Sequence, residues 1–360
     1  MVKRSDGRLD ALHAALADVA PGTPLREGLD RIVRAKMGAL VVVGDGADVL
    51  AISSGGFLLD APFSPQRLSE LAKMDGAMIL AADSSRIARA NVHLVPDPSI
   101  PTSETGTRHR TAERVARHLG HVPVISVSEE MSVLTVYVGA SKHVLQEIPR
   151  LLDKASQALQ TLGRYKERLD EAMASLSALE VEDLVTLRDV SFVLQRSETV
   201  RRIADEIETM IVELGVDARL LRLQLDELYG DTDENLHLVV RDYLPEGEWS
   251  IQQWTTQLNE LSDDDLLDLR SVAALLGFPG GGADLDQPVQ PRGHRLLAEL
   301  PRLSHDATES LVARYGTLAR VLRATTPDLA ECLHLETTKA QAIKDALARL
   351  TETSILDQYG

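Results

Sequence analysis

The chain has one cysteine, Cys332. A single thiol closes no internal disulfide and fits a reducing compartment. No apolar run approaches the roughly eighteen residues that a membrane-spanning helix needs, so no membrane partner is expected. The first residues, Met1-Val2-Lys3-Arg4-Ser5-Asp6, are basic, but no apolar core follows them. A secretory signal is therefore not expected, and the cytoplasm is the expected location. Several motifs are missing too. There is no Walker A pattern, no CxxC, and no GxSxG, HExxH or GxGxxG. P-loop hydrolysis, zinc proteolysis and Rossmann redox chemistry are left without support.

What is present is an ordinary folded composition. At 360 residues and 44% hydrophobic, the chain has room for two or three domains and is not a disordered one. The formal charge is −17, and it is uneven. Residues 291–360 hold nine Lys+Arg and nine Asp+Glu, so the other 29 basic and 46 acidic residues, and with them the whole −17, lie in 1–290. Such an acidic body repels nucleic acid, and any DNA contact belongs near the C-terminus.

The first 146 residues read as a mixed α/β domain. Two helices are expected in 5–36, broken at Pro21-Gly22-Thr23-Pro24. Gly38 to Asp45 is a near-continuous apolar run bounded by glycines, the pattern of a strand buried on both faces. Ser53-Ser54-Gly55-Gly56-Phe57 reads as a glycine-rich turn. Ser64 caps a helix that opens with Pro65 and runs to Lys73. Strands are expected at Met78–Ala82, Asn91–Val95, Val122–Ser128 and Ser132–Val138, with Glu129-Glu130 at the hinge between the last two. Pro96, Pro98 and Pro101 stiffen the loop before a helix over Thr107–Leu119, N-capped by Thr107 and stopped by Gly120.

Residues 147–276 read as an all-α spine. Leu152, Ala155, Leu159, Leu162, Leu169, Met173 and Leu176 keep a 3-4 spacing, and further helices are expected over 184–194, 200–214 and 218–229. Packing and oligomerisation are the expected work of this block. Residues 277–293, with Gly277, Gly280, Gly281, Gly282 and Pro288, read as a linker. Residues 294–360 form two helix–turn–helix pairs, the second turning at His334-Leu335-Glu336. Their turn N–H groups suit DNA phosphates, with Pro301 and Arg302 as candidates in the first turn.

Two stretches carry the chemistry. Asp75 sits at a loop-to-strand junction beside Gly76 and Ala77, which are small enough to let a ligand approach the backbone. It is the best acid–base or metal candidate, although Asp-Gly also marks plain turns. Arg108, His109 and Arg110 occupy the first turn of a helix, where cations oppose the dipole. With Gly106, Thr107 and Thr111 beside them, they read as a polyphosphate site. His109 is left with three roles: metal ligand, phosphate donor or cap. Glu129 offers a hard oxygen for Mg²⁺ or Mn²⁺, or marks an exposed acidic turn, as Glu130 does.

Asp75-Gly76-Ala77 together with Gly106-Thr107-Arg108-His109-Arg110-Thr111-Ala112 resembles the two signature motifs of the diadenylate cyclase domain, in order and spacing. Gln157–Leu162, Tyr165 and Arg168-Leu169-Asp170-Glu171 look like the spine of the DNA-integrity-scanning cyclases, the DisA family. The last two helix pairs resemble that family's helix-hairpin-helix domain. The resemblance implies an α/β cyclase domain with a mixed central sheet, an all-α spine and an all-α helix-hairpin-helix domain. It implies conversion of two ATP to cyclic di-AMP and two pyrophosphates with Mg²⁺ or Mn²⁺, in a homo-octamer whose active sites lie between facing cyclase domains. By motif, Asp75 would bind metal and help activate a 3′-hydroxyl, and Gly76 and Ala77 would present backbone to the nucleotide. Leu94 would pack on adenine. Thr107, Arg108, His109, Arg110 and Thr111 would hold phosphates, with Ser128 near them, and His109 and Glu129 would join the metal. Two departures stand out. Ser128 is followed by acidic Glu129-Glu130, as in the membrane-anchored cyclases. The second C-terminal turn has lost both glycines, which weakens the expected contact with branched DNA. The competing expectation is a branched-DNA-binding structural protein whose nucleotide site only senses ATP.

Overall fold

The computed structural model describes residues 7–244, 250–278, 284–301 and 303–359. Its chain divides into two compact units, one built from residues up to Gln157 with Ile207–Leu223, the other from Ala158–Glu206 with Gln224 onward.

The first unit opens with α1 (Gly7–Asp18), α2 (Pro24–Arg34), β1 (Ala39–Val43), α3 (Ala47–Ala51), β2 (Ser53–Ser54) and β3 (Phe57–Pro62). It continues through α4 (Pro65–Leu71), β4 (Ala77–Leu80), β5 (Arg86–Leu94), α5 (Thr107–Leu119), β6 (Val124–Val127), β7 (Leu134–Val138) and β8 (Ser141–Val144). The sheet order is β2-β5-β4-β1-β6-β7-β8, with β3 also pairing β5. Only β1 and β4 are parallel, so the sheet is mixed.

β1 is apolar throughout because both of its faces are covered. Val41 and Val43 join Leu29, Ile32, Leu68 and Met78 on the side of α1, α2 and α4. Leu40 and Val42 join Ala112, Val115, Ala116 and Tyr137 beneath α5. Ser64 caps α4 with Pro65 in its first turn, as its sequence requires.

Several expectations are corrected. The N-cap of α5 is Gly106, which is extended, and the Arg110 N–H donates to its carbonyl at 2.8 Å; Thr107 is the first helical residue. The turn after α3 is only Gly55-Gly56, both with positive φ, and the residues flanking it pair with β5 as strands. The short elements α3, β2, β3 and β8 were not expected.

Beyond β8 run α6 (Ile148–Glu182), α7 (Leu187–Leu214) and α8 (Arg219–Tyr229), the last two joined by a 3₁₀ turn at Gly215–Ala218. The helices expected over 184–194 and 200–214 are one continuous helix. The Glu213 carboxylate at its end is 3% exposed; it pairs with His143 Nε2 at 2.6 Å and accepts the Gln146 N–H. This pairing holds Ile207–Leu223 to β8 and explains why that stretch belongs to the first unit.

The second unit adds α9 (Thr232–Tyr243), α10 (Ile251–Glu260), α11 (Asp263–Leu267), α12 (Leu269–Leu275), α13 (His294–Ala298), α14 (His305–Tyr315), α15 (Leu318–Arg323), α16 (Thr326–Leu333) and α17 (Thr337–Tyr359). Leu297, Leu311, Val321, Leu329, Ala340 and Leu347 form one core for the last five. Of the expected linker, 279–283 lies outside the described residues. The part from 285 to 289 is not free: Leu187, Arg188 and Val289 hydrogen-bond it by backbone to the start of α7.

Candidate nucleotide site

The strand registers gather the first motif and its neighbours. Leu40 pairs with Ala77, Ala39 with Val127, and Ala77 with Val92. One end of the sheet therefore carries Gly38 before β1, Asp75 and Gly76 before β4, Leu94 closing β5, and Ser128-Glu129 after β6. α5 starts at this same end. The Arg108 guanidinium lies so close to Gly38 that a Cβ there would fall 2.0 Å from Nη1. At the far end of α5, a Cβ on Gly139 would meet the Gly120 carbonyl at 2.8 Å. α5 thus runs along the sheet and aims its first turn at the end that holds Asp75.

Asp75 is exposed, and among the described residues its carboxylate has no hydrogen-bond or ion-pair partner. Gly76 is fixed by its own sheet: a Cβ there would sit 2.7 Å from the Cα and carbonyl carbon of Asn91, itself left-handed at φ 53. Ala77 and Leu94, expected at the nucleotide, are 2% and 6% exposed and packed in the layer beneath α5. Ser128 is half-buried and closes the β6–β7 hairpin. Its N–H donates to Val133 at 2.9 Å and its Oγ accepts the Met131 N–H at 3.2 Å. Glu129 and Glu130 are exposed at the tip.

Thr107 and Arg110 are exposed, and no acidic residue stands in the first turn of α5. The Thr111 hydroxyl donates to the Thr107 carbonyl at 3.0 Å, so its proton is already used within the helix. The N–H groups of this turn and two guanidinium-bearing side chains are the backbone and side-chain donors that an anion at this helix start would meet.

His109 is half-buried and belongs to a relay that the sequence did not reveal. Its Nδ1 lies 3.0 Å from the Tyr137 Oη, the Tyr137 hydroxyl donates to Glu104 at 3.0 Å, and Glu104 pairs with Lys142 at 2.5 Å. Among the described residues Nε2 is buried without a partner. Burial holds His109 below its ordinary pKa, with Lys142 and Arg108 adding to the effect and Glu104 opposing it. Burial alone would raise Glu104, but Lys142 and Tyr137 outweigh it and keep the carboxylate below its usual range. Tyr137 is pushed up, by burial first and Glu104 second, and stays a phenol. A tyrosine inside an apolar strand must find a partner for its hydroxyl, and that was the available signal.

The loop before α5 is latched to it. Glu113, 5% exposed, accepts the Thr102 hydroxyl at 2.5 Å, the Ser103 N–H at 3.0 Å and Arg117 at 2.6 Å. Arg114 and Arg117 donate to the Ile100 and Pro101 carbonyls.

Among the described residues no three His, Cys, Asp or Glu side chains of one chain converge to hold a metal ion. Asp75, His109 and Glu129 are thus not a closed donor set in a single chain. The Asp75 carboxylate, without a partner among the described residues, is a hard oxygen donor of the kind that suits Mg²⁺ or Mn²⁺ when triphosphate oxygens complete the shell. Among the C-terminal candidates, Pro301 is exposed beside a cleft of about 300 Å³ lined by Glu299, Ala346 and Arg349, while Arg302 lies outside the described residues. His334 takes the left-handed conformation, φ 50, that a glycine would take without strain, with Glu336 exposed next to it. Among the described residues no helix is long and apolar enough to cross a membrane.

Comparison with known proteins gives the family. The profile described as "DisA bacterial checkpoint controller nucleotide-binding" matches residues 26–141, and that described as "DisA bacterial checkpoint controller linker region" matches 145–285. The first unit is thus built on a nucleotide-binding domain of the diadenylate cyclase class. Proteins named DNA integrity scanning protein DisA are 51% identical in Parafrankia sp. (strain EAN1pec) and 52% identical in Frankia alni and Kineococcus radiotolerans, each over 352 residues, covering 97% of this chain and 98% of the relative. The chain belongs to the DisA family. A solved structure of DacA from Staphylococcus aureus is 22% identical over 39% of this chain and 86% of its own, at a TM-score of 0.26, which is too distant to carry an argument.

Proposed function

We propose that this chain is a diadenylate cyclase that joins two ATP into one cyclic di-AMP and releases two pyrophosphates. The observation that carries the reading is the meeting, at one end of the sheet, of an unpartnered carboxylate and a cationic helix start. The cation-rich first turn of α5, Arg108 and Arg110 above all, holds a triphosphate. Asp75 takes the proton of a 3′-hydroxyl. The freed oxygen attacks the α-phosphorus of the other ATP, and the bond to the β-phosphate oxygen breaks as pyrophosphate leaves. One unit binds one nucleotide, and the product needs two reciprocal attacks, so two copies must face each other with their sheet ends opposed. Asp75 of one copy then deprotonates the 3′-hydroxyl of the nucleotide in its own copy for attack on the triphosphate held by α5 of the other, and a homo-octamer of such pairs is the expected assembly. Asp75 and His109, with Glu129, are the residues that would hold Mg²⁺ or Mn²⁺, which when bound would supply charge neutralisation. Positioning and fixed charge carry most of the rate, as in phosphoryl transfer generally.

The test is a product assay by mass spectrometry on the purified protein with ATP and Mn²⁺ or Mg²⁺. Cyclic di-AMP is expected from the unmodified chain, and Asp75→Asn is expected to lower its formation at least about a hundredfold. An assembled, metal-supplied protein that leaves ATP untouched would reject the reading.

The relatives' name points to DNA as a further partner, and the neutral C-terminal domain is where it would bind, in helix-hairpin-helix fashion through the turn holding Pro301 and Arg302. Glu336 at the second turn opposes a phosphate there, so the contact is weak. Band shifts on branched DNA across a salt series test this: binding at low salt with a steep loss supports it, and no shift at low salt removes it.

A further inference from the structure

We propose that Tyr137 is a positioning residue that acts through His109. The chain Lys142–Glu104–Tyr137 fixes the imidazole with its proton on Nδ1 and leaves a bare lone pair on Nε2.

Donor and acceptor directions along this chain of groups decide the tautomer. Lys142 sits on Glu104 at 2.5 Å, which keeps that carboxylate an acceptor only. The Tyr137 hydroxyl has one proton, and at 3.0 Å from Glu104 Oε1 that proton is committed to the carboxylate. Towards His109 the phenol oxygen can then only accept, so the nitrogen 3.0 Å away, Nδ1, must carry hydrogen. A neutral ring protonated at Nδ1 has none on Nε2. Among the described residues that atom is buried and without a partner, which for a nitrogen lone pair is a standing cost unless a ligand meets it. The rest of the ring is held in place: Tyr137 is 1% exposed in the layer beneath α5, and the two rings lie 6.4 Å apart between centroids.

This assignment separates the roles that the sequence left open. A bare Nε2 repels a phosphate oxygen and accepts an electrophile. It therefore does not donate to the phosphate, and a divalent cation bound with the triphosphate is the partner it would accept. Fixing the tautomer of a ligating histidine through the other ring nitrogen is how outer-sphere residues tune such sites. What Nε2 meets rests on the cyclase reading, whereas the tautomer does not.

The experiment is solid-state ¹⁵N NMR on the full-length, metal-free and nucleotide-free chain with labelled histidine, at mildly alkaline pH, where molecular size sets no limit. Of the ten histidines, His109 is assigned by the signals lost in His109→Gln. The expected result is a proton on Nδ1 in the unmodified chain. In Tyr137→Phe, the Nε2–H form should appear and Mn²⁺–ATP binding should weaken roughly ten- to a hundredfold. A proton on Nε2 in the unmodified chain overturns the proposal, and this reading survives even if the variant fails to fold. An unchanged tautomer in a folded Tyr137→Phe overturns it as well. A chain that shows the Nδ1–H form but makes no cyclic di-AMP refutes the reaction and leaves the tautomer assignment standing.

Discussion

Gly38 is the residue whose importance is least visible in isolation. It bounds an apolar run and looks like punctuation. In the fold it leaves the space that the Arg108 guanidinium fills, 2.0 Å from where a Cβ would be. Gly38→Ala should therefore push Arg108 away while leaving the core intact, because the displaced group is the end of a flexible side chain. Loss of one charge-assisted contact predicts ATP binding weakened about tenfold or more, with little change in thermal midpoint, which titration calorimetry and a melting curve would check. The place of Asp75 at a strand entrance was legible, because the glycine after it precedes the apolar run of β4. The partners of His109 were not, since Glu104, Tyr137 and Lys142 approach it only after β7 and β8 fold against α5. Leu94, placed at the nucleotide by resemblance, is 6% exposed and packs in the layer beneath α5.

At the scale of elements, strands buried on both faces announced themselves, and those at the edge did not. β1 and β4 are continuous apolar runs, and β6 and β7 are apolar but for Ser126 and Thr135. β3 is exposed along nearly its whole length, contains Asp60 and ends in Pro62, so nothing in its pattern separates it from a loop. The helices of the second unit were visible as periodicity, but the group that ties them was not. Arg295 on α13 meets Glu180 on α6 at 2.6 Å, both at most 3% exposed, and Tyr243 on α9 donates to the same carboxylate at 2.7 Å. Asp242 accepts the N–H groups of Gly293, His294 and Arg295. Arg295→Met leaves the buried Glu180 without its cation, with the Tyr243 hydroxyl as its remaining donor, and should cost about 3–5 kcal/mol, read as a lowered urea midpoint for this unit. His294 adds a pH dependence. Its pKa is pushed down to about 4 by burial, with Arg241 and Arg292 adding to the effect and Glu309 opposing it. The folded state then resists a proton that the unfolded chain accepts near 6.5, so its contribution is whole above that pH and is lost as the pH falls towards 4. The fall in urea midpoint over that window should be shallower in His294→Gln. Asp242, pushed up to about 7 by burial and then by Glu180, titrates with the opposite sign in both proteins and drops out of the comparison.

For the whole molecule, charge and copy number decide. The acidic surplus lies in 1–290, so electrostatics draws neither nucleotide nor DNA to the body of the protein. Binding must come from local sites such as the start of α5. The account stands on Asp75 from one copy serving the triphosphate held by α5 of another. The most direct test co-expresses two inactive chains under different tags, one Asp75→Asn and one Arg108→Ala, and analyses the products of the mixed assembly with ATP and Mn²⁺. A facing pair of the two contains one intact half-site and one doubly broken half-site. It should form a single phosphodiester and release the linear dinucleotide without closing the ring, while each variant alone makes neither product. No dinucleotide from the mixed assembly, or cyclic di-AMP from either variant alone, would contradict the account.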